Sequence, residues 1–546
     1  MSKDIPDTLN QDEPKAIPEQ LDDLFAPWNR SDAPGLAVGV AKDGQILYRR
    51  GFGMASLESR TAIAPTTRLR IGSASKHFTA LLALLLQEEG KLDLDKPIRT
   101  YVPELTGPGG EPSARLLLQH RGGSRCYLDL GFLMRGMTAP PLGGALKAQV
   151  RQTGRNFAPG EAMIYNNGGY HLVSIAIERL GGAPFEDQLK ARLSDPVGMA
   201  DTLSLPSDFI ILPGMAAMHT PARGGGWRRG IFPSEDVRGE GAIVSTVDDM
   251  LRWMAHLRTR DRLGAAESWR QLTDRPVFAD GRIGPYALGL MVDSYRGLAT
   301  LHYAGGVIGG TAQMLTLPDD GLDVIILANG APGANVVRLA EQVVDVVLAD
   351  RVGPEQARPR TEDFAALVGR WWSPEAGVTY DFLDEKGELK GAMGGAPMGG
   401  NLDLRGGRLV TPPGGMGEVS VDPAAAQDGE ITVSFGGRTF ACRKVESAEK
   451  PDPAFAAAIE GRYACADAGG TVSIRLRDDK LGARFSDTFG CVDVRVTQLG
   501  ESLAVTGMSR AGSPHFATLA FNIADGRANG FTLNSPRTRG LAFERA

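Results

Sequence analysis

The densest apolar stretch runs from Phe78 to Leu86 and stops at Gln87-Glu-Glu-Gly90. Leucines lie on nearly every side, and a glycine sits just past the last turn, so the pattern predicts a helix central to its domain. Upstream, Leu36-Ala-Val-Gly-Val-Ala41 and Gln45-Ile-Leu-Tyr-Arg49 predict two strands, joined as a hairpin through Lys42-Asp-Gly44. The first thirty or so residues are polar and proline-containing and predict an arm or a first helix. From about 91 to 350 helical patterns dominate, as at Tyr170 to Leu180 and Val247 to Leu257. Strands return late, at Ala299-Thr-Leu-His-Tyr303, Ala312 to Leu317 and Leu322 to Ala328. The last two form a hairpin across Pro318-Asp-Asp-Gly321, and Val336 to Asp350 reads as a closing helix. Strands at both ends with helices between them predict one antiparallel sheet closed by the two ends of a single domain.

Past the linker Arg351 to Thr361 the pattern changes to short alternating segments between glycine turns, which predicts all-β structure. A weak repeat runs through this part. Leu367-Val-Gly-Arg-Trp-Trp372 returns 92 residues later as Ile459-Glu-Gly-Arg-Tyr463, and Phe440 to Lys444 matches Leu541 to Arg545. Two copies of a small antiparallel barrel, divided near Lys450 to Ala454, account for the repeat better than one large sandwich. The expected domains are therefore 1–355, 362–447 and 454–546.

A chain of 546 residues with 42% hydrophobic and 23% charged residues has the composition of a soluble multidomain protein. A net charge of −6 argues against nucleic acid or an anionic membrane as the main partner. The start, Met1 to Asn10, lacks the apolar core of a secretory signal, so a cytoplasmic location is expected. Cys126, Cys442, Cys465 and Cys491 are too scattered for a disulfide framework or a zinc site, and the histidines show no metal-binding spacing. No metal and no cofactor are expected.

The candidate chemistry begins at Ser73-Ala-Ser-Lys76, at the head of the apolar helix. A serine hydroxyl is a weak nucleophile until a base takes its proton, and a lysine three residues on, desolvated by the helix, can do so. The spacing alone means little: it recurs at Ser447 to Lys450, in a linker. Ser73 gains meaning from two further segments. Tyr165-Asn-Asn167 follows the turn Phe157 to Glu161, and a tyrosine beside a lysine can serve as general base while Asn167 contacts Lys76 and a substrate carbonyl. His302-Tyr-Ala-Gly-Gly306 ends a late strand. The N–H of Gly305 could form half of an oxyanion hole, with that of Ser73 as the other half.

S-x-x-K, then Y-x-N, then H-x-x-G in this order resembles the penicillin-recognising serine hydrolases, whose motifs include S-x-x-K. Glu89 to Ile98, Pro196 to Met199 with Thr202, and Gly241 to Asp249 are similar to further segments of that superfamily. The resemblance covers roughly residues 30 to 350. It implies a β-lactamase/DD-peptidase-like catalytic domain, an antiparallel sheet flanked by helices, in which Ser73, Lys76, Tyr165 and His302 are catalytic. Followed by two barrels, this domain is similar to the bacterial D-aminopeptidases of the S12 peptidase family. Those are cytoplasmic enzymes that remove N-terminal D-residues from peptides, amides and esters, and relatives of this architecture suggest a homodimer. In that family a loop of the last barrel enters the cleft. Thr488-Phe-Gly-Cys-Val-Asp493 is the segment expected there, with Asp493 meeting a substrate ammonium. Two positions depart from the pattern. Ala304 stands where the third motif usually has glycine, and His120-Arg-Gly-Gly123 stands where H-x-S-G is usual. The competing expectations are a promiscuous β-lactamase-like esterase or amidase on the same residues, and a non-catalytic binding protein on the same fold.

Overall fold

The computed structural model describes residues 15–546 except 139–141, 233, 356–357, 412–416 and 510–511. The polar start, Met1 to Asn10, lies outside the described residues, and the following stretch forms the helix Ile17–Phe25.

The N-terminal part of the chain is built on one six-stranded antiparallel sheet, in the order Met291–Tyr295, Leu298–Val307, Gly310–Leu317, Leu322–Ala328, Leu36–Lys42 and Gln45–Phe52. The early hairpin turns through Asp43 and Gly44, both at positive φ (52° and 80°), the pair of conformations that lets two twisted strands join through two residues. The two ends of the domain meet along a ladder in which Leu36 faces Ala328 and Lys42 faces Leu322, as the strand pattern predicts. Every residue from Leu36 to Ala41 is buried, because both faces of the sheet are covered. One face carries Val247–Thr259, and the other carries Ile17–Phe25 and Val336–Val347.

Ten of the 13 residues of the helix Lys76–Glu88 are buried. It packs against Asn167–Gly181 and Ala266–Thr273, which explains why its sequence has no polar face. It ends where Gly90 turns to φ 69° and the Lys91 N–H reaches back to the Leu86 carbonyl at 3.0 Å.

Of the two C-terminal units, among the described residues only the second is a closed barrel. It has eight strands, with Gly461–Cys465 paired to Leu541–Arg545. The first is a nine-stranded sheet whose two edges, Ala396–Asn401 and Asp403–Arg405, are consecutive in the chain, so the sheet curls round without completing the ladder. The repeat has a structural counterpart. In each unit a short helical segment leads into the first strand, and the aromatic of that strand donates to the carbonyl four residues back: Trp371 Nε1 to Leu367 at 2.7 Å, Tyr463 OH to Ile459 at 2.7 Å. The closed barrel is not separate from the N-terminal part. Leu130, Leu133 and Met134 of the helix Tyr127–Arg135 belong to the apolar core of the closed barrel. All four cysteines carry free thiols. Among the described residues no helix is long and apolar enough to cross a membrane.

Candidate active site

Ser73 lies in a 3₁₀ turn, Gly72–Ser75, that runs directly into the helix Lys76–Glu88. Lys76 is therefore the first α-helical residue, and it is fully buried. Its Nζ donates to Ser73 Oγ at 3.2 Å, to Asn167 Oδ1 at 2.8 Å and to the Glu240 carbonyl at 2.6 Å. Ser73 Oγ is also 2.6 Å from Tyr165 OH. The serine is half-buried while its partners are enclosed, so the hydroxyl is the reachable atom of the group.

The Y-x-N spacing follows from how a helix starts. Tyr165 precedes the helix Asn167–Gly181, and Asn166 is its N-cap: extended at φ −144°, it accepts from the Gly168 N–H at 2.7 Å and donates to the Ser124 carbonyl at 2.7 Å. Asn166 thus turns to the helix end, while Tyr165 and Asn167 on either side of it both reach the Ser73–Lys76 pair.

The strand Leu298–Val307 brings the third segment to the same place. A side chain on Gly305 would put its Cβ 1.8 Å from the Ile71 carbonyl oxygen and 3.2 Å from the Ser73 nitrogen. Only glycine permits the strand backbone to lie this close to the nucleophile turn. His302 is on that strand opposite Met291 and Leu315, half-buried, with no hydrogen bond to Ser73, Lys76 or Tyr165. Burial pulls its imidazole down to about 4, against a smaller opposing pull from Asp293, so it is neutral at pH 7.

Asp493 does not reach this site. It is in the strand Cys491–Gln498, across from Arg484, which clasps its carboxylate at 2.8 and 2.7 Å. The turn before it sits on the end of Tyr127–Arg135, where Arg135 bonds Asp487 at 2.6 Å and lies over Phe489. A barrel segment that does reach Tyr165 is the turn Ser535 to Gly540, which places the Arg537 guanidinium 4.7 Å from the centre of the Tyr165 ring.

Further groups complete the site. His120 packs its ring 4.4 Å from that of Tyr165, centre to centre, and its Nδ1 accepts from the Asn166 N–H at 3.1 Å. Burial, then the charges of Lys76 and Arg537, hold this imidazole well below its ordinary range, so it is a neutral prop for the tyrosine. Tyr170 accompanies it, donating to the Leu118 carbonyl at 2.7 Å and lying 3.0 Å from Tyr286 OH. His120 stands out in sequence as a motif variant. Nothing in the sequence marks Tyr286, or the Glu240 carbonyl as an acceptor for Lys76.

The sequence model of the Beta-lactamase family matches residues 20–348. The chain belongs to the Beta-lactamase family. It is a serine hydrolase of the S12 type. The D-aminopeptidase of Brucella anthropi is 29% identical over 376 residues, 67% of this chain and 68% of that one. Among solved structures, the octameric penicillin-binding protein homologue of Pyrococcus abyssi superposes with a TM-score of 0.55 at 21% identity, covering 78% of this chain and 99% of its own. The D-amino acid amidase of Ochrobactrum anthropi SV3, complexed with L-phenylalanine amide, gives 0.52 at 23% identity, covering 61% and 98%. At these identities the two structures share the fold with the family member described here. The matched region of the family contains Ser73, Lys76, Tyr165, Asn167, His302 and Gly305, and leaves out both C-terminal units.

Proposed function

We propose that this chain is a D-stereospecific aminopeptidase and amidase that releases N-terminal D-residues from peptides, amides and esters through an acyl-serine. The observation that carries the reading is the serine oxygen held at once by Tyr165 OH and Lys76 Nζ, at 2.6 and 3.2 Å. The D-stereospecific part rests on the likeness to the Brucella D-aminopeptidase. A dimer is carried by the resemblance alone.

In this reading Ser73 Oγ forms a bond to the substrate carbonyl carbon as its proton passes to the Tyr165–Lys76 pair. The carbonyl oxygen becomes an oxyanion facing the amides of Ser73 and Gly305. The pair then gives the proton to the leaving nitrogen, the C–N bond breaks, and the acyl-serine remains. Water attacks the ester, losing its proton to the same pair, and Ser73 takes a proton back as the acid departs. Asn167 holds Lys76 in place throughout, and His120 keeps the tyrosine ring at its angle.

Comparing D-alanine p-nitroanilide, its L-isomer and its N-acetylated D-form tests the assignment. Hydrolysis confined to the free-amine D-compound is the expected result, and Ser73→Ala should lower it by roughly 10⁴-fold or more. Rapid turnover of p-nitrophenyl butyrate with none of the three anilides would replace this reading with an esterase. Full activity in Ser73→Ala would end the serine mechanism altogether.

A further inference from the structure

Strand alternation sorts the third segment into two faces. Within Leu298–Val307, Tyr303 and Gly305 are buried, while His302 and Ala304 are half-buried. The face of Gly305 is the one that meets Ile71 and Ser73, so Tyr303 looks toward the nucleophile turn and His302 away from it. Tyr303 is fully buried, in one cluster with Tyr165 and Tyr286. Its ring centre is 5.5 Å from that of Tyr286.

The neighbouring hydroxyl protons are already committed. Tyr170 OH gives its proton to the Leu118 carbonyl at 2.7 Å, so in the 3.0 Å contact between Tyr170 and Tyr286 it is Tyr286 that donates. Tyr303 OH, by contrast, makes no hydrogen bond. It keeps its proton: burial, then the oxygens of Tyr165 and Tyr170, hold its phenol well above the ordinary range. A buried donor left idle costs stability, and a catalytic role is one of the few reasons to retain one. Tyr286 and Tyr165 are the side chains that bear on its ionisation through hydrogen bonding. Burial keeps Tyr286 neutral, whereas Tyr165 is the tyrosine that exchanges a proton with Ser73, and a charged oxygen is the stronger acceptor.

We infer that Tyr303 is a positioning residue for acylation: its hydroxyl donates to the Tyr165 oxygen while that oxygen is without its proton, and so holds the base form in place for Ser73. The inference rests on the acyl-serine reading above and adds a third hydroxyl to it. No proton leaves Tyr303. The Ser73 proton passes to the Tyr165 oxygen, the Oγ electron pair forms the bond to carbon, and the bond from Tyr303 weakens as Tyr165 becomes neutral. The other groups that face Tyr165 are Ser73, the cations Lys76 and Arg537, at 4.8 and 4.7 Å from its ring centre, and neutral His120, ring to ring at 4.4 Å. All of them stay in place when the Tyr303 hydroxyl is removed.

The test uses the full-length protein and Tyr303→Phe, which removes one oxygen and keeps the ring. The thermal midpoint of the variant should equal or exceed that of the wild type, since the lost hydroxyl bonds to nothing at rest. Ser73 is labelled with a fluorophosphonate, in which Oγ forms a bond to phosphorus and fluoride leaves. Labelling of the variant at pH 7 should be slower by roughly 10- to 100-fold, the range of a hydrogen bond to a charged oxygen. The deficit should shrink as pH rises, because higher pH restores the base form that the missing donor penalises. A rate within about twofold of wild type at every pH overturns the inference, as does a deficit of constant size. A lowered thermal midpoint overturns it too, since the hydroxyl would then serve packing. D-Alanine p-nitroanilide is run alongside. If the wild type leaves it intact while the labelling deficit and its pH dependence hold, the D-aminopeptidase reading fails and the role of Tyr303 stands.

Discussion

His77 and His515 are fully buried, and burial pulls their imidazoles to about 3 and about 4 respectively. As neutral rings each keeps a hydrogen bond: His77 Nε2 accepts from Trp253 Nε1 at 2.7 Å, and His515 Nε2 donates to the Leu133 carbonyl at 2.9 Å. The unfolded chain protonates both near 6.5, so it binds more protons than the folded one at lower pH. Their contribution is intact above pH 6.5 and falls as pH drops toward 4, by about 1.4 kcal/mol per pH unit for each. The urea midpoint should therefore decline steadily from pH 7 to 5, and less steeply in His515→Gln; a midpoint constant over that range would contradict this account. At the same scale, Ser73, Lys76, Tyr165 and Asn167 were legible in the sequence because helix geometry fixes their spacing. Three residues set the serine–lysine pair on one helical end, and an intervening cap sets tyrosine and asparagine on the same side. Arg537 was not legible, since its place depends on which end of a barrel faces the catalytic domain.

That choice is made by elements, above all by the loop and helix from Arg125 to Arg135. Arg125 joins Asp467 at 2.5 Å and the carbonyls of Arg539 and Gly540, with side-chain exposures of only 4% and 12% for the ion pair. Arg125→Met leaves the carboxylate short of its cation and two carbonyls short of a donor, and should cost about 3 kcal/mol in unfolding experiments. Arg125→Lys should rescue little of this, because one ammonium cannot span the three acceptors that the guanidinium fork reaches. Unaltered stability in Arg125→Met would mean the junction is held elsewhere. The strands and helices of the sheet were readable from alternation and apolar runs. The repeat was readable too, though not the hydrogen bond from its aromatic to the carbonyl four residues back. What pattern could not convey was closure: the same alternation serves a sheet that joins its edges and one that stops short, and the first C-terminal unit stops short. The expected position of Asp493 failed for a related reason. Strand register set the carboxylate opposite Arg484, and nothing local in the sequence announces a cross-strand partner nine residues away.

Across the whole molecule, the closed barrel and the catalytic domain share a core. Leu130, Leu133 and Met134 pack among barrel residues such as Tyr463, Phe485 and Val494. Deleting 454–546 would bare these three side chains, and the shortened protein should aggregate more than the full chain on expression. A soluble truncation whose Ser73 still takes a fluorophosphonate label would show that the domain stands alone.

The ladder between Leu36 and Ala328 joins segments 328 − 36 = 292 residues apart. At a synthesis rate of roughly 5–20 residues per second, the early hairpin emerges from the ribosome roughly 15–60 s before its partner strand. Through that interval its apolar edge has no neighbour, which invites chaperone capture or pairing with another nascent chain. Ser73 is translated early as well, but the strand that backs it, with Gly305, follows 305 − 73 = 232 residues later. In the proposed reaction the nucleophile is thus made long before it can react, and a half-synthesised chain would carry an inert serine.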